Sequence, residues 1–229
     1  MSATATLAPA TTSAPEDECF TLYGLNWSDY VTIDKILDDK SKARLLYLDG
    51  SLTFLSPAYI HETSEDFLDK ILLAIVVGCE IEIRPLGSTT LRKEERLAGL
   101  EGDRVYWLRE NAVLTADVKE LDLTIHPPPD LAIEVENTSK ATDAMAIYAR
   151  MGVPEVWRHD VRRGTLGFWA LGGDGTYAKI TSSLGFPFLT PEDVLSELKR
   201  AEESQSYLRW FAQLNDWVRD VIVPRLGQA

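Results

Sequence analysis

The segment Pro129-Asp130-Leu131-Ala132-Ile133-Glu134-Val135-Glu136 restricts the fold more than any other stretch of the chain. Side chains of a β-strand alternate between two faces. Leu131, Ile133 and Val135 therefore share one face, and Asp130, Ala132, Glu134 and Glu136 share the other. The first face requires a core to cover it. The second sets three carboxylates beside that core, which is unfavourable unless something cationic meets them. A solvated edge strand is the competing reading of the same pattern.

Spacing sorts these acids. Asp130 and Glu134 lie roughly 13 Å apart along an extended strand, too far to share one ion, and Glu134 and Glu136 roughly 7 Å. A close second carboxylate has to come from a neighbouring strand. Asp103, heading the compact strand signal Arg104–Leu108, is the natural supplier. Two hard oxygen ligands completed by water suit Mg²⁺ or Mn²⁺. The chemistry such a pair supports is metal-assisted hydrolysis of a phosphodiester.

Composition removes other classes. The 229 residues carry 23 Lys and Arg against 36 Asp and Glu, a net charge of -13, so DNA binding by global charge is disfavoured and any nucleic-acid role needs a local site. Cys19 and Cys79 make no disulfide framework and, with three histidines, no zinc cluster. The longest apolar run, Ile71 to Val77, is far below the ~20 residues of a membrane span. The start of the chain lacks the basic and apolar blocks of a signal peptide, so a cytoplasmic protein is expected.

Along the chain, residues 1–18 are Ala, Thr, Ser, Pro and acid, and read as a disordered tail. Residues 19–190 read as one domain and 191–229 as a C-terminal helical extension. Helices are expected over Trp27–Leu37, from His61 to Val77 with Gly78 as cap, through Tyr148 as far as Gly152, and from Pro191 to Val223. Asp49-Gly50 between Leu45–Leu48 and Leu52–Leu55 signals a hairpin. Further strands are expected at Ile81–Ile83, Ser88–Leu91, Arg104–Leu108, Leu121–Ile125, Leu131–Val135, Glu155–Arg158, Thr165–Leu171 and Tyr177–Ile180. In the last helix, Tyr207, Phe211, Leu214, Val218 and Val221 form a stripe widened by Trp210 and Trp217. It either docks on its own domain or forms a dimer contact.

Several segments together resemble the PD-(D/E)xK nuclease superfamily and, within it, the Uma-type restriction endonucleases. They are Leu48-Asp49-Gly50 with Ser56-Pro57, His61-Glu62 at a helix start, Arg84–Thr90, Gly99-Leu100-Glu101-Gly102-Asp103, Pro128–Val135 and Tyr148–Trp157. The resemblance spans about Trp27 to Leu189. It implies an α/β (α+β) restriction-endonuclease-like core, a mixed β-sheet flanked by helices, with metal-binding acids on adjacent strands.

By that resemblance Asp103 is the first metal acid, with Gly102 where a proline is usual. Glu134 is the second, Asp130 the acid opening the same strand, and Glu62 a helix-borne glutamate near the site. Glu62 also suits a first helical turn for electrostatic reasons alone. The lysine expected two residues after the second acid is Glu136 here. The relocated position, four residues before the tyrosine, is Ala144. Lys140, one turn earlier, either reaches the site or is solvated. From Arg84 to Arg109 six basic residues outnumber four acids, which fits either a phosphate-facing surface or a solvated face. The implied function is an Mg²⁺- or Mn²⁺-dependent DNA endonuclease working as a homodimer. The alternative is a weakened nuclease fold that binds nucleic acid or protein.

Overall fold

Asp17 is buried and Glu18 opens a strand, so these two residues of the expected 1–18 tail are part of the fold. The computed structural model describes residues 17–37, 43–56, 58–87, 89–118, 121–137 and 144–227; residues 1–16 of the expected tail lie outside these. Strand β1 (Glu18–Tyr23) precedes helix α1 (Trp27–Leu37), and β2 (Arg44–Leu48) and β3 (Ser51–Ser56) form the hairpin signalled by Asp49-Gly50. Both turn residues take positive φ, 46° and 86°. That is the twist a two-residue hairpin turn needs.

Helix α2 (Tyr59–Gly78) is the longest. Gly78 is its last residue and not its cap: a Cβ there would run into Val218, so the glycine permits a close helix approach. Strands β4 (Ile83–Gly87), β5 (Thr90–Lys93), β6 (Ala98–Glu101) and β7 (Arg104–Leu108) follow, then the short α3 (Arg109–Leu114). Leu121–Ile125 is not a strand. Asp122 accepts hydrogen bonds from the Thr124 amide and hydroxyl and coils this stretch into a turn.

Strand β8 (Leu131–Glu136) is followed by α4 (Ala144–Met151) and β9 (Glu155–Asp160), and β8 and β9 are the one parallel pair among the described residues. A parallel pair requires such a crossover. Strands β10 (Thr165–Leu171) and β11 (Tyr177–Ile180) close the second sheet, and α5 (Pro191–Glu203) and α6 (Tyr207–Trp217) follow. The expected single tail helix is thus two, parted at 204–206, where the Ser206 hydroxyl starts α6 by accepting from the Arg209 amide.

The sheets are β1-β3-β2-β6-β5, antiparallel throughout, and β11-β10-β9-β8-β7-β4, which is mixed. Leu131, Ile133 and Val135 face a core built with α2, α5 and α6. Ala132, Val105 and Val156 face a second core with Ile147, Tyr148 and Met151 of α4 and Leu46, Leu91 and Leu100 of the first sheet. Tyr30 of α1 covers the outer face of that sheet over Leu45, Tyr47 and Leu52. The fold is α+β, mixed strands flanked by helices. No helix among the described residues is long and apolar enough to cross a membrane.

Both faces of β8 are therefore buried, which rules out the solvated edge strand. Of the C-terminal stripe, Trp210, Leu214 and Val218 are buried in the core shared with α2, together with Ile222, whereas Tyr207 and Val221 are exposed.

Candidate metal centre

The antiparallel register of β7 and β8 pairs Arg104 with Ile133 and Val105 with Ala132. One step further along that register, Asp103 stands opposite Glu134. The Asp103 amide points at Glu134 Oε1, 3.5 Å away. Asp103 is buried, and its Oδ2 accepts a 2.7 Å hydrogen bond from the Val135 amide. Strand alternation thus supplies the acid, and strand pairing supplies its neighbour.

Helix α2 adds two more groups. His61 and Glu65 are one turn apart, so both project from the buried face of the helix. His61 Nε2 lies 2.9 Å from Asp103 Oδ2. On its other side, His61 Nδ1 lies 3.5 Å from the buried Asp17 carboxylate, whose Oδ1 accepts from the Ala58 amide at 2.8 Å. Burial pushes the Asp17 pKa up, but the bonds from His61 and Ala58 outweigh it and hold the acid below the usual carboxylate range. The imidazole is held between two carboxylates. Single ligand atoms of His61, Glu65 and Asp103 lie within 4.8 Å of one another, a spacing that one metal ion can bridge.

Strand β2 contributes a cation. Arg44 shares the inward face of Leu46, two residues on, and its guanidinium ion-pairs with Asp103 Oδ1 and, at 2.8 Å, with Glu65 Oε2. Arg44 Nη1 also lies 3.4 Å from His61 Nε2. Arg104 reaches the other Glu65 oxygen at 2.8 Å.

Glu134 is partly buried against α4, where it accepts a hydrogen bond from the Tyr148 hydroxyl. Burial pushes its pKa up to about 7; the Tyr148 bond and the Arg44 and His61 charges pull it down, but not enough. Burial likewise raises the Tyr148 hydroxyl well above its ordinary range, with the Glu134 charge adding to it. Gly102 makes this contact possible, because a Cβ at that position would strike the Tyr148 hydroxyl. A proline there would do the same, which explains the glycine.

The remaining residues singled out from sequence lie elsewhere. Glu62 is exposed, on the solvent side of α2; the buried acid of that helix is Glu65, one helical position in register with His61. The signal was present in the sequence as the i, i+4 pair. Asp130 accepts from the Leu108 amide at 2.7 Å and from Asn111 Nδ2 at 2.8 Å, fastening the start of β8 to α3, at the far end of the strand from Glu134. Lys140 lies outside the described residues. Ala144 is buried in the core under α4. Glu136 forms an ion pair with Arg158.

Four of the six basic residues between 84 and 109, Arg104 among them, have partners within the chain. Arg84 donates to the Thr115 and Val118 carbonyls and lies over Trp107, Arg92 pairs with Asp34, and Arg109 bonds the Gly185 carbonyl.

A model of the family described as "Putative restriction endonuclease", Uma2, matches residues 27–203. Among solved structures, one described as "a putative nuclease belonging to DUF820" from Anabaena variabilis aligns at 15% identity with a TM-score of 0.47, covering 67% of this chain and 90% of the other. No curated protein matches the chain. The matched segment takes in every strand from β2 to β11 and the whole of α1 to α5, including Arg44, His61, Glu65, Asp103 and Glu134, and the chain belongs to the Uma2 family of restriction-endonuclease-like proteins.

Proposed function

We propose that this protein is a divalent-metal-dependent endonuclease that hydrolyses DNA phosphodiester bonds. The observation that carries the reading is the convergence of Asp103, Glu65 and His61 within 4.8 Å, with Glu134 facing Asp103 across the β7–β8 pair.

The donor set fits a divalent ion. Carboxylate oxygens suit Mg²⁺ and Mn²⁺, and an imidazole nitrogen shifts the preference towards Mn²⁺. Asp103 would hold the ion, with Glu65 and His61 on the α2 side and Glu134 on the β8 side. A bound ion polarises the phosphorus centre, lowers the pKa of a bound water and stabilises the leaving oxygen. The chain's own groups do the rest. Asp17 faces the Nδ1 side of His61 and leaves Nε2 turned towards Asp103, and the Val135 amide fixes the Asp103 carboxylate. Tyr148 orients Glu134 by donating a hydrogen bond from its hydroxyl to Oε1. A homodimer would bring two such sites to the two strands of a duplex.

Plasmid and oligonucleotide cleavage with Mg²⁺ or Mn²⁺, alongside Mn²⁺ calorimetry, tests the reading. Wild type should bind Mn²⁺ and cut. Asp103→Asn should lose binding, and Glu134→Gln should cut at least a hundred-fold more slowly. Metal binding by wild type without cleavage of any DNA offered would favour a binding module on the nuclease fold. Equal Mn²⁺ binding by wild type and Asp103→Asn would remove the site assignment.

A further inference from the structure

The proposed reaction calls for a fixed positive charge beside the metal acids, and none of the positions where the nuclease pattern places a lysine provides one that the structure describes. Glu136 is an acid paired with Arg158, and Ala144 is buried under α4 among Ile147, Tyr148 and Met151. Lys140 lies outside the described residues. Among the described residues, two arginines make ion pairs with the cluster. Arg104 meets Glu65 alone, whereas Arg44 meets both Asp103 and Glu65 and lies against His61.

Resting on the nuclease reading, we propose that Arg44, delivered by β2 of the opposite sheet, is the catalytic cation of this site. Three observations carry this. Arg44 is almost fully buried, so its charge acts where water screens it least. Its guanidinium is held by carboxylates from two different elements, α2 and the start of β7, which fixes its position before any substrate arrives. A guanidinium also carries five N–H donors, more than two single carboxylate contacts use, and matches the oxygens of a phosphate in plane.

The role is electrostatic. In hydrolysis a water oxygen forms a new bond to phosphorus while the bond from phosphorus to the leaving sugar oxygen breaks. One proton leaves the water and one reaches the leaving oxygen. Arginine stays charged throughout, so Arg44 carries neither proton; it stabilises the negative charge that builds on the phosphoryl oxygens.

This role makes a specific demand on metal affinity. Arg44 and a divalent ion are both cations drawn to Asp103 and Glu65, so Arg44 weakens the ion's hold while raising the rate. Arg44→Met should therefore bind Mn²⁺ several-fold more tightly, read by calorimetry or by the electron paramagnetic resonance of free Mn²⁺. The same variant should cleave about a hundred- to a thousand-fold more slowly at saturating metal. Arg44→Lys, which keeps the charge and the fold, should recover at least ten-fold of that loss with Mn²⁺ affinity close to wild type. Circular dichroism at the assay temperature establishes that each variant is folded, and Arg44→Lys carries the test if Arg44→Met is not.

The opposite pattern overturns the proposal. If wild type cuts and folded Arg44→Met cuts as fast or faster while binding Mn²⁺ more tightly, Arg44 is only a competitor of the metal. Arg44→Lys as inactive as Arg44→Met, with unchanged metal affinity, also overturns it, because the charge is then not what matters. If wild type binds Mn²⁺ but cuts no DNA, the nuclease reading fails and this proposal with it, a result distinct from cleavage that ignores Arg44.

Discussion

Glu134 illustrates how a single position becomes usable chemistry. An acid on the α4-facing side of a doubly covered strand is costly when ionised, and burial accordingly lifts its pKa to about 7. The Tyr148 hydroxyl is its side-chain hydrogen-bond partner among the described residues, and Gly102 is the residue that lets that hydroxyl in. Gly102→Ala should push Tyr148 off Glu134 and cost about 1–3 kcal/mol of stability, as overpacking does elsewhere. Denaturant melts measure it directly, and a change under about 0.5 kcal/mol, the size of an ordinary surface substitution, would mean the backbone yields instead. His159 shows the opposite use of burial. It lies in β9, and burial lowers its pKa despite the Thr165 carbonyl it faces. A folded-state pKa below the unfolded value of about 6.5 means that the unfolded chain takes up the proton first. Its contribution is complete above about pH 6.5 and is lost as pH falls below that value. His159→Gln should flatten this acid limb in thermal melts recorded between about pH 7 and 5.

At the scale of elements, the site depends on three placements. The β7–β8 register sets Asp103 against Glu134, the i, i+4 face of α2 sets His61 beside Glu65, and the β2–β3 hairpin sets Arg44 over both. The hairpin is the most local of these. Gly50 sits at φ 86°, and the turn is tied to the rest by the Leu25 amide on the Gly50 carbonyl at 3.1 Å and by Arg150 of α4 on Asp49. Gly50→Ala should cost about 1–2 kcal/mol, the penalty for a Cβ in left-handed backbone. Because β2 carries Arg44, loosening the turn should also disturb the buried Arg44 pairs. The indole fluorescence of Trp27, which packs on Tyr47 of β2, would report that shift. An unchanged melt and unchanged fluorescence would show that the turn is held by its neighbours and not by its own backbone.

For the whole molecule, the decisive fact is that the last two helices complete the main core. Trp210, Leu214, Val218 and Ile222 pack with Leu68, Ile71 and Ile75 of α2 and with the sheet beneath. The face expected to be available for self-association is thus largely spent within the chain, and Tyr207, Leu208, Val221 and Leu226 are what remains exposed on that segment. Trp210→Ala should cost about 3–5 kcal/mol, in line with other large-to-small changes at buried aromatic positions. The loss should lower the single unfolding transition of the entire chain, seen alike by near-ultraviolet and far-ultraviolet circular dichroism. Separate melting of the C-terminal helices would contradict the shared core. Sedimentation of the full chain measures self-association independently of these melts.

Much of this was written locally. Strand alternation from Leu131 to Glu136, the Asp49-Gly50 turn, the apolar spacing of α1 and α2 and the glycine ending α4 each depend on neighbours in sequence, and the corresponding elements sit where that chemistry puts them. Glu65 was legible too, since it follows His61 by one helical turn, but the family resemblance singled out Glu62 instead. Other features had no local signal. Leu121–Ile125 has strand-like residues, yet a side-chain bond from Asp122 turns it. Asp130 carries the same carboxylate as Glu134, and only the positions of Leu108 and Asn111 make it a structural tie. Arg44 and Asp17 are invisible as site residues because they approach from another sheet and from the chain's entry into the fold, 59 and 86 residues before Asp103 respectively by the numbering. Periodicity records which way a side chain points from its own strand or helix. What it meets there is fixed when separate elements pack, and that is where three acids, a histidine and an arginine come together.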